Sequence, residues 1–231
     1  MTDSPSPIME IFKDPAQAAR YSEGPIKFVP GFSDIHRMVG VLINERASKN
    51  ARILVHGAGG GLELEAFALA NPSWTFLGVD PAKPMLDAAG KRLGPLMERI
   101  QLHHGYIYDA PEGPFNAATS LLTLHFLDAD EYKKTVKEIV RRLNPGAPFI
   151  AVHSSFPESG HDREVCLSRY SAFASASGVD PEMADRARNA VSSELPRIGP
   201  EQNVALLQSA GLKNVESFYS GFAWHGWVGY A

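Results

Sequence analysis

Apolar residues in this chain fall into two alternating textures. Short, mostly apolar runs at Ile53–Val55, Trp74–Val79, Phe115–Leu122 and Pro148–His153, with the more polar Ile100–His104 as a short third strand, are separated by stretches in which apolar positions recur every three or four residues. The runs read as strands buried on both faces, the recurrences as helices with one apolar stripe. Ser33 is suited to cap a helix whose stripe is Ile35, Met38, Val39 and Leu42. Leu62–Ala70 is predicted as the helix after the first strand, stopped by Asn71-Pro72. The stretch from Pro81 to Leu93 aligns Met85, Ala89 and Leu93. A later helix, begun by Asp128 or Asp130, carries Tyr132, Val136, Ile139, Val140 and Leu143 and is broken by Asn144-Pro-Gly146. Helices between non-alternating strands predict a mostly parallel sheet covered on both sides.

The flanks differ in texture. Residues 1–7 are rich in Pro and Ser and are predicted to be disordered. Residues 8–46 hold an aromatic-bearing lead-in followed by the helix after Ser33. From 154 to 199 the chain is richer in Ser, Ala and Arg, with helices predicted at 161–177 and 181–195, the second opened by Asp180-Pro181. This stretch is expected to be a lid inserted into a single domain. Pro200–Ala210 then reads as a helix closed by Gly211. Val215–Tyr219 and Ala223–Tyr230, separated around Gly221, read as an antiparallel hairpin that completes seven strands.

Candidate chemistry sits at one turn. The run Arg52–Gly61 passes from strand through Gly57-Ala-Gly59-Gly-Gly61 into a helix, and the next strand ends in Asp80. An acid about 20 residues beyond such glycines is placed to accept hydrogen bonds from a ribose diol. The dinucleotide spacing G-x-G-x-x-G fails, because it puts Leu62 or Leu64 in the third glycine's place.

Composition narrows the class. A formal net charge of −4 and a pI near 6.1 supply no basic stripe for nucleic acid. No apolar run reaches the ~18 residues of a membrane span, and residues 1–7 lack the character of a signal peptide. The single cysteine, Cys166, forms no intrachain disulfide and reads as a small buried residue, which suits a cytoplasmic protein. The expected partner is a small-molecule substrate, with no membrane and no nucleic acid. A homodimer is one assembly the chain allows.

The motif Gly57-x-Gly59-x-Gly61 with Asp80 resembles that of class I methyltransferases that use S-adenosylmethionine, a Rossmann-like α/β family. Residues 116–127 and Leu143–Gly146 resemble its later motifs. Val29–Gly40, Leu124–Leu127 and Asn144-Pro-Gly146 are similar to the carboxy-S-adenosylmethionine synthase branch. The resemblance implies S-adenosylmethionine as cofactor. It implies contacts from Phe32, Gly57, Ala58, Gly59, Gly61, Asp80, Pro81, Met85, Tyr106, Ile107 and Leu121. The acid usual two residues before the first glycine is Val55 here, the aspartate after strand three is Tyr106, and the synthase branch's asparagine and tyrosine are Leu121 and Phe32. His56 or Glu63 could replace the missing acid, with Glu63 expected to point outward at its helix start.

His103 and His104 are adjacent and would face opposite sides of a strand, so they cannot chelate one ion, and no metal is expected. His125 and His153, near strand ends, are candidate general bases. Tyr21, Phe28, Phe32, Trp224 and Trp227 could wall an acceptor pocket. Tyr21 and Arg188 are candidate substrate ligands, Arg188 falling where the synthase branch holds a carboxylate. Three functions follow: methyl transfer to a small molecule, carboxylation of the cofactor, or cofactor binding without turnover.

Overall fold

The computed structural model describes residues 12–231. The disorder expected of residues 1–7, and residues 8–11 of the lead-in, lie outside the described residues. Seven strands form one sheet in the order β3-β2-β1-β4-β5-β7-β6. They are β1 Arg52–His56, β2 Thr75–Asp80, β3 Ile100–His104, β4 Ala117–Leu121, β5 Pro148–Ser154, β6 Lys213–Gly221 and β7 Trp224–Tyr230. Strands β1 to β5 pair in parallel, while β7 runs antiparallel to both β5 and β6. This is the predicted topology.

Helices cover both faces. α1 is Pro15–Arg20, α2 Pro25–Phe28, α3 Phe32–Asn44, α4 Leu62–Ala70, α5 Lys83–Leu93, α6 Ala129–Val140, α7 Gly160–Ala176, α8 Pro181–Glu194 and α9 Pro200–Ser209. One face of the sheet, including Ile53, Val55, Ile150 and Val152, packs on α3, α4, α5 and α7 through Ile35, Val39, Leu64, Phe67, Leu86, Ala89 and Leu167. The other face, including Leu54, Ala118, Phe149 and Trp227, packs on α6 and α9 through Tyr132, Val136, Ile139 and Leu207. Alternation along β1 and β4 therefore decides which side chains reach which layer.

Two helix starts differ in quality. Asp128 caps α6 by accepting from Glu131 N, and Asp180 caps α8 by accepting from Glu182 N and Met183 N. Ser33 does not cap α3: the cap and the helix start lie two residues earlier, with Gly31 as the cap in the left-handed conformation at φ 65°. The lead-in is more regular than expected, with α1, a 3-10 turn at Tyr21–Glu23, and α2. It is fastened to the hairpin by Tyr219 Oη donating to Pro30 O (2.6 Å) and Trp224 Nε1 donating to Phe28 O (2.9 Å). Between β5 and α9 the chain forms only α7 and α8, which pack on one another. Among the described residues, no helix is long and apolar enough to cross a membrane.

Candidate functional site

The glycine turn is anchored to the end of β2. Gly57 N and Ala58 N both donate to Val79 O, at 2.8 and 3.0 Å. Gly57 and Gly61 have φ of 74° and 80°, a region costly to side-chain-bearing residues. A Cβ on Gly57 would run into the Thr123 side chain. On Gly61 it would lie 3.1 Å from Ala89 Cβ and 3.2 Å from Ala89 Cα. Gly61 therefore provides close packing of α4 on α5, and it is absent from the lining of the cavity beside Asp80.

Asp80 reaches back to the same turn. Its Oδ2 accepts from Gly59 N at 2.9 Å and its Oδ1 from Ala82 N at 2.8 Å. Burial holds its carboxyl above the ordinary value, against the pull of the Ala82 and Gly59 donors and His104. Each oxygen has a second lone pair for a ligand hydroxyl. Asp80 opens onto a cavity of 280 Å³ lined also by Gly57, Gly59, Pro81, Met85, Tyr106 and Leu121. Tyr106 is 63% exposed, so its ring lies at the cavity rim. The Ile107 side chain is buried in the α6-side core and does not line the cavity.

A niche of 30 Å³ adjoins this cavity, sharing Tyr21, Gly57, Gly59, Leu121 and Leu122 with it. Phe32, His36, Ala58, Gly60, Leu62 and Glu63 complete the niche. Glu63 does not point outward: it is 6% exposed and accepts from Thr119 Oγ1 at 2.7 Å. Thr119 is paired in register with Val55, so Glu63 brings a carboxyl beside the place where the missing acid was sought. Burial pushes its carboxyl up to about 8, with the Thr119 bond acting the other way. His56 points to the opposite face, its Nδ1 3.0 Å from Ser120 Oγ. Burial drives both His36 and His56 down to about 4, so neither imidazole is a cation at neutral pH.

A second cavity, of 380 Å³, meets the first at Phe12, Tyr21, Leu122 and Phe126. Phe28, Tyr170, Trp224, His125 and Ala187 line it. Three of the expected acceptor aromatics are thus present: Tyr21, Phe28 and Trp224. Phe32 belongs to the niche, and Trp227 is buried on the far side of the sheet against His153. His125 Nδ1 accepts from Ser154 N at 3.2 Å, which places the ring proton on Nε2. Burial lowers its pKa to about 3, so His125 is a neutral hydrogen-bond donor and not a base at Nε2.

His153 is 1% exposed and faces α9, its Nε2 2.7 Å from Asn203 Oδ1. Asn203 Nδ2 donates to Ser155 Oγ, so its oxygen faces the imidazole, which donates. His153 lines neither cavity, and its expected role as a base is corrected to a packed core residue. Arg188 lies on the face of α8 that carries Ala184, Ala187 and Val191, but only Ala187 lines the second cavity. His103 approaches Asp109 and His104 approaches Pro81 O, so the two rings diverge. Among the described residues, no group of three or more His, Cys, Asp or Glu is placed to hold a metal. Burial raises the Cys166 thiol.

Sequence reasoning missed Phe12, Ala82, Leu122, Thr123 and Phe126 on the cavity walls. Ala82 follows Pro81 directly and could have been included. Phe12 carries no local signal, because only the tertiary path of the lead-in brings it to the end of β4.

Comparison with known proteins agrees with this geometry. Residues 53–146 match the family model described as a methyltransferase domain. The chain is 24% identical over 225 residues to the carboxy-S-adenosyl-L-methionine synthase of Staphylococcus epidermidis, covering 97% of this chain and 96% of that protein. The fold is similar to an O-methyltransferase family protein from Burkholderia thailandensis, with TM-score 0.71 and 16% identity, over 98% of this chain and 63% of that one. It is also similar to human N-acetylserotonin methyltransferase in complex with SAM, with TM-score 0.66 and 13% identity, over 96% of this chain and 58% of that one. The chain thus spans less than two thirds of the length of these two solved chains.

Proposed function

We propose that this chain, which has the class I methyltransferase fold and a methyltransferase domain over residues 53–146, binds S-adenosylmethionine in the 280 Å³ cavity and transfers its methyl group to a small-molecule acceptor in the 380 Å³ cavity. The observation that carries the reading is Asp80, a buried carboxylate at the end of β2 facing both the glycine turn and the cavity. Its free lone pairs suit the two ribose hydroxyls, and Met85, Pro81 and the rim ring of Tyr106 suit the adenine. The methyl group would be presented where the two cavities meet, at Leu122 and Phe126.

S-adenosylmethionine bound in the first cavity would supply an electrophilic methyl group on a sulfonium, and the walls of the second cavity would bring an acceptor's nucleophilic atom into line with it. A sulfonium is already a good leaving group, so alignment supplies most of the acceleration. Phe28, Tyr170 and Trp224 offer flat apolar walls to an acceptor, and His125 Nε2–H can orient an oxygen or nitrogen on it. The helical insertion of α7 and α8 serves as a lid, since Tyr170 and Ala187 reach the cavity from it. A single cysteine supports a cytoplasmic setting.

A second reading is favoured by the curated relatives named carboxy-S-adenosyl-L-methionine synthase. Arg188, the arginine expected to hold an added carboxylate, lines neither cavity, and the cations on the walls are the exposed Lys13 and Arg20. The test is calorimetry with S-adenosylmethionine and S-adenosylhomocysteine, on wild type and Asp80→Ala. Loss of charged hydrogen bonds to two hydroxyls should weaken both ligands roughly ten- to a hundredfold. Unchanged affinity in a folded variant rejects the cofactor site. Mass spectrometry of ligand co-purified with the wild type separates the two readings, since carboxylated cofactor would establish the second.

A further inference from the structure

Glu63 is a buried carboxyl for which the described residues supply no counter-ion. It projects from the first turn of α4 beneath the glycine turn, held by the single hydrogen bond from Thr119. From the lead-in it is faced by Tyr21, whose hydroxyl is pushed up by burial and then by Glu63 and Asp80. From α3 the niche receives His36, which is neutral, and from β2 the nearest charge is Asp80. His56 of β1 lies on the other face of the sheet. Every charged or titratable neighbour is thus either neutral or itself acidic. An acid in such surroundings is stable only when protonated or when met by a cation.

The niche in front of it is small: its 30 Å³, against the roughly 10–15 Å³ that a single water requires, leaves room for a small polar group such as an ammonium. It opens into the larger cavity past Gly57, Gly59 and Leu121, on the side of the glycine turn and not of the rim tyrosine. We propose that Glu63 is the receptor for the α-ammonium group of the cofactor's amino-acid end, and that binding expels the Glu63 proton. The inference rests on the cofactor reading above. The step is an acid dissociation: the carboxyl O–H bond breaks, the proton goes to solvent, and the carboxylate pairs with an ammonium that keeps its three protons.

This assignment separates one end of the ligand from the other. The adenosine end is held by Asp80 and should be indifferent to Glu63. The amino-acid end should depend on Glu63 and on pH, because only the ionised carboxyl pairs with a cation. With a free carboxyl titrating at about 8, affinity should rise close to tenfold between pH 6 and pH 7 and level off above pH 8.

The experiment is isothermal titration of wild type and Glu63→Gln with S-adenosylhomocysteine and with 5′-methylthioadenosine, which lacks the amino-acid end. It is run at pH 6, 7 and 8 in buffers of differing ionisation enthalpy. Wild type should release close to one proton on binding S-adenosylhomocysteine at pH 6 and none on binding methylthioadenosine. At pH 8, where wild type binds with its carboxyl largely ionised, Glu63→Gln should weaken S-adenosylhomocysteine about ten- to a hundredfold, with the gap closing toward pH 6; it should abolish proton release and leave methylthioadenosine unchanged. Equal affinities for S-adenosylhomocysteine in both proteins at pH 8, or wild-type binding at pH 6 without proton release, would overturn the inference while leaving the cofactor site intact. Failure of wild type to bind either compound would overturn both. Proton release is measured on wild type alone, so the inference stays testable even where the variant folds poorly.

Discussion

Replacing Glu63 by glutamine should make the ligand-free protein more stable at neutral pH. The folded-state pKa of Glu63 stands at about 8 against 4.5 for the free side chain, and a raised value means that the folded state prefers the protonated form. The stability associated with this group is therefore present below pH 4.5 and is lost as pH rises toward 8. Each pH unit across that window costs about 1.36 kcal/mol, so by pH 7 the folded state has given up about 3 kcal/mol. Glutamine keeps the shape and an oxygen to accept from Thr119 Oγ1, but it never ionises. For a domain of this size 1 kcal/mol corresponds to about 2–4 °C, so the variant should melt roughly 6–12 °C above wild type at pH 7. The two should converge near pH 4.5. Differential scanning calorimetry of protein stripped of bound ligand at four or five pH values checks this, since bound cofactor would add stability to wild type selectively. A melting difference that stays constant with pH would refute the reasoning, for it would mean that Glu63 is not buried uncharged.

Three other perturbations test the packing and the site. Gly61→Ala places a methyl 3.1 Å from Ala89 Cβ at φ 80°. It should cost about 2–4 kcal/mol in urea unfolding, from left-handed strain plus overpacking. Leu62 is only half-buried while Phe67 is 1% exposed, so Leu62→Ala should cost about 1–2 kcal/mol and Phe67→Ala about 3–5 kcal/mol; the reverse order in denaturant melts would contradict the helix phase. Arg188→Ala should leave affinity for S-adenosylmethionine within about twofold by calorimetry, because Arg188 lines neither cavity.

The sheet was legible because its central strands are mostly apolar and its breaks fall at Asn, Pro and Gly. Ile100–His104 is found as read, β6 extends two residues beyond the read Val215–Tyr219 at each end, and β7 begins one residue later than the read Ala223. Asp80 was legible for the same reason: an acid ending a buried strand has few structural uses. Glu63 was not. In Leu62-Glu-Leu-Glu65 the polar and apolar residues alternate at the first turn, and α4 is apolar on several sides because α3 and α5 flank it. Its phase is set by its neighbours and cannot be read from its own pattern. Histidine roles were likewise invisible, since strand parity sends His153 into the α9 layer while His125, on the turn after β4, faces the second cavity. The N-terminal wall residue Phe12 meets Phe126 and Tyr21 only through long-range packing.

The stitching of the lead-in to the hairpin bears on the order in which the molecule is completed during synthesis. Its two hydrogen bonds join residues 189 and 196 positions apart, so the one from Tyr219 cannot form until β6 has been made and the one from Trp224 not until β7 has begun. The elements around Asp80 and the glycine turn need no residue beyond β4 and its following turn, and they can condense from contacts much closer in sequence. A nascent chain would therefore assemble the cavity beside Asp80 well before the second cavity had its Trp224 wall. The second cavity waits for the last strand, which makes the closing of the hairpin on the lead-in the step that completes the proposed site.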